Sequence, residues 1–106
     1  MYSVDDLLQL AHIEKADELR LHVGKPPVLV WRDNYPQLVG GKRRVLEGPE
    51  ITLEDSEHFL LKLTNSRQRR DIREHGQATF FFLFQGRILF LVRAKAEDEV
   101  VGFVIQ

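Results

Sequence analysis

The chain has 106 residues, of which 43% are apolar and 29% charged, and its formal net charge is −1. This is the size of one domain around one core, with the composition of a folded rather than a disordered chain. Near-neutral charge excludes a global field that would gather nucleic acid or anionic lipid, and the absence of cysteine excludes disulfides, thiolate chemistry and cysteine-ligated zinc.

No apolar run reaches the ~20 residues of a spanning helix. The N-terminus carries Asp5 and Asp6 and lacks the apolar stretch of a signal peptide. A soluble cytoplasmic protein, with no membrane insertion and no nucleic-acid partner, is the expectation. Ser3 is placed to cap a first helix, with Asp6 three residues on. Val4, Leu7, Leu8 and Ala11 then recur at helical spacing as a buried stripe. Residues 18–23 alternate polar and apolar, which predicts a half-buried strand, and Gly24-Lys25-Pro26-Pro27 ends it. Val28 to Trp31 predicts a second strand, followed by a turn at Arg32-Asp33-Asn34. Residues 35–49, with Gly40-Gly41 and Lys42-Arg43-Arg44, read as a short strand pair or an irregular connection.

Thr52 is a good N-cap, and Glu54 and Asp55 follow in the first turn, where the helix dipole favours them. Leu53, Phe59, Leu60 and Leu63 are expected to form the apolar face of that helix. Ser66 is then expected to cap a basic helix over 67–74, ended by Gly76 in a left-handed conformation. Three C-terminal strands follow, the first two joined by a three-residue loop, Gln85-Gly86-Arg87. The order helix, strands, two helices, strands predicts a single α+β domain over 1–106, an antiparallel sheet with helices on one face.

The C-terminal strands carry the functional signal. A strand with one face in water alternates apolar and polar residues, yet Phe80 to Phe84 and Ile88 to Val92 are apolar throughout. With a three-residue loop, Phe80, Phe82, Phe84, Ile88, Phe90 and Val92 share the helix-covered face. The outer face then holds Phe81, Leu83, Leu89 and Leu91, joined by Val104. A chain this short covers one face with its own helices, so these five are the candidate protein interface. Either a second copy or another protein covers them, or residues 35–49 fold over them.

The segment from Lys15 to Pro27 (KADELRLHVGKPP), the helix start Ile51-Thr-Leu-Glu-Asp55, Gln68-Arg-Arg-Asp71 and the aromatic hairpin together resemble the N-terminal domain of PilT-type pilus retraction ATPases and their secretion-ATPase relatives. The resemblance covers nearly the whole chain in the same order and implies a PAS-like fold preceding a motor domain. No G-x-x-x-x-G-K-[ST] is present to hold a triphosphate. In that family, arginines on the C-terminal strands reach nucleotide across the subunit interface, and the matching positions here are Leu89, Leu91, Glu99 and Gln106. The acidic positions before the aromatic strand fall at Gln77 and Thr79. The resemblance therefore implies a non-catalytic, cofactor-free module that docks through its outer sheet face. Its expected partner is a pilus or secretion ATPase or a second copy, with Arg67, Arg69 and Arg70 as a polar rim. Two alternatives stand beside it: the N-terminal piece of a longer ATPase, and a PAS-like small-molecule sensor. His12, His22, His58 and His75 show no ligand spacing, and Ser3, Ser56 and Ser66 have no nucleophile context, so neither a metal site nor a catalytic residue is predicted.

Overall fold

The computed structural model describes residues 1–32 and 42–106. Helix α1 (Val4–Ile13) starts where extended Ser3 accepts the amide of Asp6, and it buries Val4, Leu7, Leu8 and Ala11. Strands β1 (Glu18–Leu21), β2 (Val28–Trp31) and β3 (Lys42–Val45) follow, then α2 (Leu53–Leu63) and α3 (Ser66–His75). Strands β4 (Gln77–Phe84), β5 (Ile88–Glu97) and β6 (Val100–Ile105) complete the chain. Among the described residues, all strands join one antiparallel sheet in the order β3-β2-β1-β6-β5-β4.

The helices pack on one side of this sheet, α1 on β1, α2 on β6, and α3 on β4 and β5. Leu8, Leu19, Leu21, Leu29 and Ile105 are sealed in the core, where Phe59 of α2 meets Phe103 of β6 edge-on at 6.3 Å. Aromatic rings favour that arrangement because the positive edge of one faces the negative face of the other. Phe84 and Phe90 fill the β4–β5 end, with ring centroids 6.1 Å apart. This is the α+β architecture that the order of elements predicts.

Several local expectations need correction. Asn65, not Ser66, caps α3: its side chain accepts the Gln68 amide while Gln68 returns a bond to the Asn65 amide, and Ser66 is the first helical residue. The reciprocal pair satisfies two amides that a serine one position later would leave bare. Leu53 is exposed, and buried Asp55 and Ser56 stand with Phe59 and Leu63 on the inner face of α2. Asp55 closes a capping box with Thr52 and also accepts the Tyr2 amide, while Ser56 Oγ donates to the Val101 carbonyl at 2.7 Å. Strand β1 stops at Leu21, and Val23 forms a parallel bridge to Ile51 just ahead of α2. Of residues 35–49, the part from Lys42 to Val45 is β3, which extends the sheet beside β2 instead of folding across it. Residues 33–41 of the predicted turn and connection lie outside the described residues.

The hairpin between β4 and β5 follows the expected register. Phe84 opposes Ile88, leaving Gln85, Gly86 and Arg87 as the loop, with Gly86 at φ 66°. Between β5 and β6, Glu97 opposes Val100, so Asp98 and Glu99 form a two-residue turn with φ of 50° and 66°. Such turns favour glycine and asparagine because a Cβ crowds the backbone at positive φ; this one has neither.

Candidate functional site: the outer face of the sheet

The β4–β5 register places Phe81 opposite Leu91 and Leu83 opposite Leu89. Directly opposed residues in an antiparallel pair point to the same side, and that side is away from the helices. Phe81 is 65% exposed, Leu83 56% and Leu89 60%, whereas Leu91 and Val104 are half-buried. Val104 lies between Arg93 and Arg20 in register, so the apolar patch gives way to charge towards β6 and β1. All five residues singled out from sequence therefore share one face, and β3 stands at the opposite end of the sheet from Phe81 and Leu83. No residue between 42 and 49 lines the patch.

The arginines expected as its rim are elsewhere. Helix α3 packs on the covered side of β4 and β5, so Arg67, Arg69 and Arg70 are separated from the patch by the sheet. Arg69 is committed locally, donating to the Thr64 carbonyl at 2.8 Å and to Thr64 Oγ1 at 3.2 Å, which fastens the α2–α3 corner. With Arg73, Ile72, Ala96, Glu99 and Val101 it borders an open cleft of about 700 Å³ on the helix side.

The polar boundary of the outer face is a cluster that sequence reading missed. Glu18 is 5% exposed, although it lies on the face turned away from the helices. Its carboxylate accepts from Arg20 Nε at 3.0 Å, from Gln106 Nε2 at 3.0 Å and from the Arg32 guanidinium. Burial by itself pushes the Glu18 carboxyl up, but the bonds from Arg32, Arg20 and Gln106 outweigh it and hold the group below the usual carboxylate range. Gln106 also exchanges both backbone bonds with Leu91, at 2.8 and 2.9 Å. The ionic cluster is thus tied to the patch through one residue pair. Strict polar–apolar alternation gives Glu18 the appearance of a water-facing side chain; the only sequence hint is that Arg20 stands two residues on, on the same face.

A second polar feature flanks β1. His22 lies across Gly102 of β6, its Nδ1 2.6 Å from where a Cβ would stand, so glycine makes room for the ring. Partial burial, then the nearby charges of Lys25 and Arg20, push the His22 imidazole down, partly countered by Glu97. No group of three or more His, Asp or Glu that could hold a metal occurs among the described residues. Nor, among them, is any helix long and apolar enough to cross a membrane.

No protein-family model matches the chain, and no curated protein matches it in sequence. A solved structure does: the crystal structure of the pilus retraction motor PilT with bound ADP matches all of this chain with a TM-score of 0.79 at 20% identity. The match falls in the N-terminal portion of the motor, and the chain spans 29% of that protein's length. At this identity the likeness establishes a shared fold.

Proposed function

We propose that this domain is a non-catalytic protein-docking module that binds through the outer face of its sheet, at Phe81, Leu83, Leu89, Leu91 and Val104. The observation that carries the reading is the exposure of three large apolar side chains on two paired strands, each more than half open to water. Fully burying such a side chain contributes roughly 1.5–3 kcal/mol, at ~25 cal/mol for each Å² removed from water. Exposed patches of this kind mark contact sites in soluble proteins. The partner we favour is a pilus or secretion ATPase, because the chain shares its fold with part of one such motor. Arginines at Leu89 and Leu91 would suit a nucleotide, whereas the leucines present suit an apolar protein surface. The phenylalanine core speaks against the sensor alternative: Phe59 packs edge-on against Phe103, and Phe84 stands against Phe90, which favours a filled interior over a chamber.

The test is sedimentation and affinity capture of the wild type beside a Leu89→Glu/Leu91→Glu double variant. The wild type is expected to self-associate or to retain an added pilus-type ATPase, and the double variant to lose that property while keeping its circular dichroism spectrum. Equal behaviour of the two proteins in both assays would rule the reading out.

A further inference from the structure

Strand β4 ends the sheet, and its outer edge is open. Among the described residues, the backbone groups of 77–83 bond only across to β5. Open edges invite another strand, and proteins normally blunt them with charge, proline or a bulge. The far end of the same sheet follows this practice: β3 carries Lys42, Arg43 and Arg44, all exposed. In contrast, β4 reads QATFFFLF, with no charge and no proline, and its register to β5 runs unbroken from Gln77 opposite Lys95 to Phe84 opposite Ile88.

Area gives a second argument. Taking full side chains at ~150–250 Å², Phe81, Leu83 and Leu89 together expose roughly 300–400 Å². A stable interface takes ~800 Å² from each partner, so one copy's patch falls well short.

We propose that β4 pairs antiparallel with β4 of a second copy, joining the two sheets edge to edge and merging their outer apolar patches into one surface. A second copy is favoured as the occupant because β4 is complementary to itself. Around a two-fold axis, residues equidistant from it stand opposite one another on the same face. With the axis at Phe81, Phe81 meets its own counterpart, and Thr79 of each copy lies opposite Leu83 of the other. On the helix side, Phe80 of each copy lies opposite Phe82 of the other. None of these pairs sets like charges together, whereas β3 meeting itself around Arg43 would set Arg43 against its counterpart and Lys42 against Arg44. The merged patch rests on the docking function proposed above; the strand pairing does not.

The chain contains no cysteine, so single-cysteine variants report contacts without background. Directly opposed residues across an antiparallel pair have Cα atoms ~4.5–5.5 Å apart, within disulfide range. Leu89, one strand further in and opposite Leu83, would stand three strand spacings across (~14 Å) and four residues along (~13 Å) from its counterpart, roughly 19 Å away. Under mild oxidation, Phe81→Cys is expected to form covalent dimers at least about tenfold faster than Leu89→Cys. An equimolar mixture of Thr79→Cys and Leu83→Cys should cross-link faster than either alone. Sedimentation of the untouched wild type guards against damage by the substitutions, and a dimer is expected. A wild-type monomer, or cross-linking through Leu89→Cys as fast as through Phe81→Cys, overturns the pairing. The failures separate cleanly: a wild-type monomer that still captures an ATPase leaves the docking reading standing. A β4-linked dimer unaffected by Leu89→Glu/Leu91→Glu, and capturing nothing, supports the pairing and removes the docking surface.

Discussion

Replacing Glu18 by glutamine removes one charge and almost no volume from the point where β1, Arg32 and the end of the chain converge. The wild-type carboxylate accepts from two guanidinium groups and one amide. Hydrogen bonds to a charged group contribute roughly 1.5–3 kcal/mol net, against about 0.5–1.5 kcal/mol for neutral ones. Glutamine also turns an amide donor towards donors, so at least one contact is lost outright. Breaking a buried ion pair usually costs about 3–5 kcal/mol because the abandoned charge stays buried. That penalty does not apply here, since the Arg20 and Arg32 side chains are 36% and 64% exposed and can turn to water. The expected loss is therefore about 1–2 kcal/mol, and in a domain this size each kcal/mol lowers the melting midpoint by roughly 4–8 °C. Acid supplies a sharper assay. The folded carboxyl is held below its ordinary value, so at low pH the unfolded chain binds the proton more readily. The stabilisation is present above the unfolded pKa and disappears over the acid range, as pH falls below that value and through the lower folded one. Urea unfolding followed by circular dichroism should show Glu18→Gln losing less stability than the wild type over that window. A variant whose neutral midpoint and acid limb both superpose on the wild type would refute the account of this cluster.

Asp55 has the same sign. Burial raises its carboxyl, but the amides of Thr52 and Tyr2 outweigh that and hold it low, so Asp55→Asn should cost about 1–3 kcal/mol at neutral pH and flatten the acid limb further. Thermal melts should separate patch from core: Leu89→Glu is expected to change stability by no more than about 0.5 kcal/mol. Phe103→Ala, at a fully buried position facing Phe59, should cost about 3–5 kcal/mol. Glu99→Gly should stabilise by about 1 kcal/mol, because it relieves a Cβ at positive φ in the β5–β6 turn; an unchanged or lowered midpoint would contradict this.

Features governed by neighbours in sequence were legible before any coordinates. Ser3 and Thr52 announce helix starts because a cap acts within three residues, and the loop at Gln85–Gly86–Arg87 fixes which aromatic side chains share a face. The face assignment of Phe81, Leu83, Leu89 and Leu91 follows from that parity alone. Features set by distant neighbours were not legible. Burial of Glu18 depends on Arg32 and Gln106, which strand order brings alongside, and burial of Ser56 depends on a carbonyl 45 positions away. The sequence marks Arg67, Arg69 and Arg70 as a basic stretch fit for a polar rim, but not the side of the sheet they occupy. The side of the sheet on which a helix lies is decided by the burial of Ile72, and that puts these arginines on the other side. The cap of α3 was within reach: Gln68 stands three residues after Asn65, the spacing of a reciprocal cap, and this outranks a serine without such a partner.

The unlike ends of the sheet also bear on how far growth can run. A molecule with two receptive margins can add neighbours without limit and form ribbons, as aromatic segments free of charge tend to do. Here one margin is neutral and the other carries Lys42, Arg43 and Arg44, of which Arg44 stands 3.8 Å from Glu14, so a pair joined through the neutral side presents net-positive borders to a third molecule. Lys42, Arg43 and Arg44 would then serve as a stop, and mutating them to neutral residues would turn a closed pair into an open chain.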